Sequence, residues 1–309
     1  MAQNDRSAAN KQDFSQAHEA RNSQQSDSIY TEWAQIATDK VVVATPDRAW
    51  LYKPSSAEDK PNGTQRFARP MEGAGSFAST GKLLDTAIAA ARYAVKSDVR
   101  PPALTSTRWI WRLAGLYHLC HPIPRLIESA RQRFTAAERW SLARWAAHNA
   151  AEEEGHDLLA LKDIQSLGYD PDAVVEALVP PASKVLIDYL TRSVNDSDPI
   201  DCVGYAYTME RLSLGVNEQY IKDVEALLPK GVKATRCLRV HSSVGADADH
   251  VAETVEMVAE LSAAERTRVA IACYETALLC FTPPGNYLSD GSIEQILAPL
   301  KSTNILNND

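Results

Sequence analysis

TAAERWSLARWAAHNAAEEEGHDLLALKDIQSLG, residues 135–168, is the stretch on which the fold turns. It is rich in Ala, Leu, Glu and Arg and carries no proline, and its apolar residues follow a helical period. Thr135-Ala-Ala-Glu138 has the form of a capping box, and Gly168 is a natural stop, so one long helix is expected to about Leu167. On such a helix Glu153 and His156, three residues apart among Ala146, Ala147, Ala150, Ala151, Leu158 and Leu159, share a face one turn apart.

The same period runs through most of the chain beyond residue 80. The run from Lys82 to Ser97 precedes Pro101-Pro102, and that from Leu104 to Cys120 breaks at His121-Pro122-Ile123-Pro124. Asp170-Pro171 starts a short helix, Pro180-Pro181 precedes another, and Pro199 opens a segment over 200–228. A further segment covers 232–260, and Ser262-Ala-Ala-Glu265 is a second capping box for a last helix ending near Phe281 before Pro283-Pro284-Gly285. The fold class is therefore all-α. Residues 1–28, rich in Gln, Asn, Ser and Asp, are expected as a disordered tail, 29–80 as an irregular extension with at most a small hairpin, 81–285 as the helical domain and 286–309 as a C-terminal tail. GAGSFASTGKLL imitates a phosphate loop, but five residues separate Gly75 from Gly81 and Leu83 stands where Ser or Thr is required; Ser79 or Thr80 is read as a helix cap instead.

Composition narrows the function. With 309 residues, 45% of them apolar, the chain can bury a large core. A net charge of -8 and a pI of about 5.5 argue against nucleic acid. No apolar run approaches the roughly 20 residues of a membrane span, and no secretory leader is recognisable, so a cytoplasmic protein is expected. Five cysteines with no C-x-x-C pair read as reduced, mostly buried thiols.

The chemistry-bearing residues then stand out. Asp247 and His250 repeat the spacing of Glu153 and His156; Glu210 is a lone carboxylate closing the uncharged run Cys202–Met209; His241 precedes the second pair on the same segment. Two acid-plus-imidazole pairs with further carboxylates are how helix bundles hold two iron or manganese ions: carboxylates bridge hard cations, and imidazole suits iron. A single such pair on a helix is more often a solvated ion pair, and Glu210 has an equally plain reading as a partner of Arg211. Glu152, four residues before His156, competes with Glu153. His118 and His148 read as core hydrogen bonders or as outer support for ligands.

The motifs EEEGHDLL and DIQSLG (within 152–168), GYAYTMER (204–211) and RVHSSVGADADHV (239–251) together resemble the haem-oxygenase-like di-iron oxidase and oxygenase superfamily, over roughly residues 103–282. The resemblance implies a seven-helix bundle of the kind shared by haem oxygenase and the thiaminase-type proteins. It also implies two Fe(II) ions with O2 as co-substrate, and the ligands Glu153, His156, Glu210, His241, Asp247 and His250. The family spaces the last set as His-x3-Asp-x2-His; here five residues separate His241 from Asp247, so a kink or π-bulge at Gly245 is required to bring His241 round, with Ser243 at the family's own position. No glutamate lies between Arg108 and Leu126, so an additional first-helix ligand is missing or replaced by His118. Glu152, His148 and His118 would support the ligands from outside. Arg211, Arg236 and Arg239 are candidates to grip a substrate carboxylate, and Tyr205 and Tyr207 to line the pocket. The implied activity is oxidation of a small amino-acid-like or carboxylate substrate, by N-oxygenation or oxidative C–C or C–N cleavage, in specialised metabolism. An external electron donor and a homodimer are compatible with it. The rivals are a cofactor-independent thiaminase-type or quinone-forming enzyme of the same fold, and a non-enzymatic helical protein that binds a partner.

Overall fold

A computed structural model describes residues 31–53, 73–243, 247–285 and 287–302, with the side chains of 247–249 excepted. The expected disordered tail, much of the extension and Gly245 lie outside the described residues.

The chain starts as a sheet where an irregular extension was expected. β1 (Glu32–Ala37), β2 (Lys40–Ala44) and β3 (Ala49–Tyr52) form an antiparallel meander. The β-branched run Val41-Val42-Val43 suits the central strand, and from Val41 to Ala44 every residue is buried. β1 alternates, turning Glu32, Ala34 and Ile36 inward. A carboxylate facing the core needs partners. Glu32 finds Arg266, with Nε 2.6 Å from Oε1, and accepts the Thr80 hydroxyl at 2.8 Å. Arg266 also donates to the carbonyl of Gly73 at 3.0 Å and to that of Leu261.

Helices follow: α1 (Phe77–Ala94), α2 (Ser106–Cys120), α3 (Ile123–Ala136), α4 (Trp140–Glu152), α5 (His156–Ser166), α6 (Pro171–Ala177), α7 (Pro181–Asn195), α8 (Asp201–Ser213), α9 (Glu218–Ala226), α10 (Arg236–Val240), α11 (Asp247–Ala259), α12 (Ala263–Phe281) and α13 (Asp290–Leu297). The main core joins the sheet to α1, α3, α4, α7, α8, α11 and α12; a second cluster gathers Trp109, Leu113, Ile164, Val174, Ile221 and Ile293 from α2, α5, α6, α9 and α13. Gly204 lets α8 and α12 touch: a Cβ there would stand 2.5 Å from the Val269 carbonyl oxygen and 2.6 Å from the Ala272 Cβ. Among the described residues, no helix is long and apolar enough to cross a membrane.

Several boundaries differ from the expected ones, each for a local reason. The long helix over 135–168 is two helices and the end of a third. Thr135 belongs to α3, where its hydroxyl bonds back to the Arg131 carbonyl at 2.9 Å instead of capping, and Glu138 takes a left-handed φ of 58°. A second break follows Glu152, where Gly155 adopts φ +82°. The cap of α1 is Ser76, in a capping box with Ser79, while Thr80 is used on Glu32. The segments 200–228 and 232–260 each divide in two. Residues 290–301, expected within a tail, form α13 and a closing 3-10 turn; Ile293 and Leu297 are buried and Lys301 bridges to Tyr169. The caps at Asp170-Pro171 and Ser262–Glu265, and the stop at Gly168, stand where the sequence puts them.

Candidate metal centre

Two helix interruptions meet at one place. The first is the α4–α5 break, Glu153-Glu154-Gly155; the second is the end of α10, where His241 caps the helix. On α5, His156, Ala160 and Asp163 share one face. Fully buried Asp163 accepts from the Cys237 amide at 3.0 Å and from Arg236 at 2.8 Å, fixing the start of α10 against α5. That anchor sets His241, four residues beyond Cys237, against His156: the rings meet edge to face with centroids 4.7 Å apart. On the other side, Trp145 of α4 donates to Thr254 of α11 at 3.0 Å, both buried. Glu152 lies seven residues after Trp145 and His250 four before Thr254, so the same contact brings His250 Nε2 to 2.8 Å from Glu152.

Among the described residues, these anchors produce three groups whose donor atoms lie within 4.8 Å of one another: Glu153, His156 and His241; His148, Glu152 and His250; and Cys120, Cys237 and His241. Glu153 Oε2 is 3.1 Å from His156 Nδ1, and each of these two side chains keeps about a fifth of its surface open (21% and 22%). His148 is more exposed, with Nε2 3.3 Å from Glu152 and 3.4 Å from Glu253. Cys120 Sγ is 3.6 Å from His241 Nε2.

Charge is balanced within the cluster. Burial alone would push the Glu153 carboxyl up, but its hydrogen bond with His156 and the imidazoles of His241, His156 and His250 hold it below the ordinary carboxylate range. Burial alone would lower His241; contact with Cys120 and the facing Glu153 reverse that and raise it. The hydrogen bond with Cys237, together with burial, pushes the Cys120 thiol well up. Tyr205 is fully buried on α8, and its phenol is pushed up by burial first and then by the charges of Cys280, Cys120 and Glu153.

Of the residues picked out in the sequence, Glu153, His156, His241 and His250 come together, and Glu152 joins them as the direct partner of His250 rather than as outer support. His148 also contacts Glu152. Glu210 lies outside the three groups; its Oε2 is shut off from solvent near the end of α8. Asp247 begins α11, with its side chain outside the described residues. His241 is brought round by the end of a helix at Val240, while the expected bulge at Gly245 lies outside the described residues; Ser243 bonds to the Val216 carbonyl instead.

The other candidates have separate partners. Tyr207 donates to Asp85 at 2.9 Å and Arg211 forks onto the same carboxylate at 2.8 and 3.1 Å. Arg239 pairs with Glu218 and Glu225, at 3.1 and 2.9 Å. His118 Nε2 lies 2.9 and 3.1 Å from the carbonyl oxygens of Val175 and Leu178; both only accept, so it carries the proton and ties α2 to the end of α6. Cys120 and Cys237 were missed: the sequence separates them widely and offers no pairing motif.

No protein-family model matches the chain, and no curated protein does. Solved structures similar to it include a domain of unknown function with a haem oxygenase-like fold from Shewanella denitrificans OS217, 21% identical over 70% of this chain and 86% of that one, with a TM-score of 0.49. A TenA homologue from Pseudomonas syringae pv. tomato str. DC3000 is 13% identical over 69% of this chain and 98% of that one, with a TM-score of 0.50. At such identities the likeness concerns the fold alone. The helical part of the chain shares its fold with that TenA homologue, preceded here by the short sheet.

Proposed function

We propose that the chain is a non-haem di-iron oxidase or oxygenase acting on a small amino-acid-like or carboxylate substrate. One observation carries this reading: two neighbouring groups, each of two imidazoles and one carboxylate, share consecutive residues, Glu152 and Glu153, as their acids. That donor chemistry fits iron, since two imidazoles and a carboxylate leave coordination positions open for oxygen and substrate. Glu153, His156 and His241 would hold one ion, and Glu152, His250 and His148 the other, with Glu210 and Asp247 as further carboxylates from α8 and α11. An iron pair bound there would supply oxygen activation, for N-oxygenation or oxidative C–C or C–N cleavage, with electrons from an external donor.

The chain's own part is preparatory. Asp163 and Trp145 preset the imidazoles and carboxylates. The Glu153–His156 hydrogen bond favours the ionised carboxylate, the form that binds a cation.

The test is anaerobic equilibrium dialysis with Fe(II). Close to two equivalents should bind, with His156→Ala and His250→Ala each removing about one while circular dichroism stays unchanged. Absence of iron uptake, or full uptake by both variants, refutes the assignment.

A metal-free, thiaminase-type reading draws on the contact of Cys120 with His241, because a thiol beside an imidazole begins a nucleophile–base pair. Its hydrogen bond with Cys237 and burial keep that thiol protonated, which makes it a poor nucleophile. Turnover that survives exhaustive chelation would favour this reading over the di-iron one.

A further inference from the structure

We propose that Cys120, Cys237 and His241 form a second kind of cation site, taking a thiophilic ion such as Zn(II) and sharing its imidazole with the Glu153 group.

The geometry is close to what zinc needs. With Zn–S near 2.3 Å and Zn–N near 2.0–2.1 Å, tetrahedral donors sit roughly 3.6 Å apart for sulfur to nitrogen and about 3.8 Å for sulfur to sulfur. Cys120 Sγ and His241 Nε2 are already 3.6 Å apart, and all three donor atoms lie within 4.8 Å of one another. The donors come from fixed points: Cys120 ends α2, and Cys237 is held at the start of α10 by its amide bond to Asp163. Both thiols are buried, packed with Ala160 and flanked by Leu116, Tyr117 and Leu159, so the sulfur side is apolar. Glu153 and His156, which share His241 with the thiols, stay partly open to solvent.

Two thiolates neutralise a divalent ion, and each cysteine releases its proton to solvent on binding, so about two protons leave per Zn(II). Three protein donors leave a fourth position free, as in catalytic rather than closed structural zinc sites. The two sites differ in the softness of their donors: thiolates select zinc, whereas carboxylate with imidazole suits iron. Because His241 belongs to both, occupation of one withdraws a ligand from the other.

The experiment uses the full chain, reduced and stripped of metal, with one equivalent of Zn(II). X-ray absorption at the zinc edge should show a two-sulfur shell near 2.3 Å; a first shell of nitrogen and oxygen alone at about 2.0–2.1 Å overturns the proposal without any substitution. With Co(II) as probe, the near-ultraviolet sulfur-to-metal charge-transfer band should vanish in Cys120→Ser and in Cys237→Ser and persist in Cys280→Ser, and Zn(II) affinity should fall about a hundredfold in the first two. Persistence of the band in both variants also overturns it. Zinc-loaded protein should take up one Fe(II) fewer than metal-free protein; equal, non-zero uptake overturns the sharing of His241. Should Fe(II) fail to bind at all, the di-iron function falls while the zinc–sulfur shell still decides this proposal.

Discussion

Replacing Glu32 by leucine should be among the most damaging single changes outside the metal centre. The side chain is 2% exposed and faces Arg266, 1% exposed, so the substitution strands a guanidinium in the core with only the Gly73 and Leu261 carbonyls for company. Breaking a buried pair from one side costs about 3–5 kcal/mol. In a unit of this size each kcal/mol moves the melting temperature by about 2–4 °C, so a fall of roughly 6–20 °C is expected. The companion change matters as much. Glu32→Leu with Arg266→Met removes both charges, leaving apolar groups of similar volume, and should recover most of the loss. Thermal melts by far-UV circular dichroism, with urea titrations for free energies, measure all three proteins. A loss under about 1 kcal/mol for Glu32→Leu, or a double variant no better than the single, refutes the claim that this pair clamps the sheet to α12.

Further predictions concern packing, ligand assignment and pH. Gly204→Ala should destabilise by about 1–3 kcal/mol in the same melts, because the new methyl meets the Val269 carbonyl oxygen at 2.5 Å with α8 and α12 already in contact. His118→Phe should cost about 1–3 kcal/mol by leaving two carbonyls without their donor, yet leave Fe(II) uptake unchanged in dialysis. Burial raises the Glu265 carboxyl, but its bonds to Ser262 and the neighbouring Arg139 hold it below the ordinary carboxylate value. Its contribution is thus complete above the unfolded value of about 4.3 and disappears as pH falls through the folded one. Glu265→Gln should accordingly be less stable than the parent at pH 7 and indistinguishable from it well below pH 4, as read from urea titrations across that range.

The helical class was legible because its signals are local. Asp170 caps α6 with Pro171 in the first turn, Ser262 and Glu265 close a capping box, and Gly168 ends α5. Local signals also misled: Thr135 and Glu138 have capping-box spacing, but Thr135 is already inside α3 and satisfies its hydroxyl there. The break at Gly155 did have a cue, a glycine after three glutamates whose charges oppose a helix C-terminus. The pairing of the site was less visible. The sequence pairs His250 with Asp247 by spacing, and its contact with Glu152 depends on Trp145 reaching Thr254, across 109 positions. Tyr207 and Arg211 read as substrate-facing until Asp85, on α1, engages both. Spacing within one element constrains what shares a face; which faces meet is decided by the packing of others.

Glu153, His156 and His241 hang from the ends of interrupted helices, so fewer backbone hydrogen bonds stand behind them than behind donors set within a continuous helix. An ion captured between those ends would act as a rivet. Loading should therefore slow amide exchange at Glu153–His156 and Val240–His241 more than in the body of α12, so that the metal would finish the architecture as well as equip it.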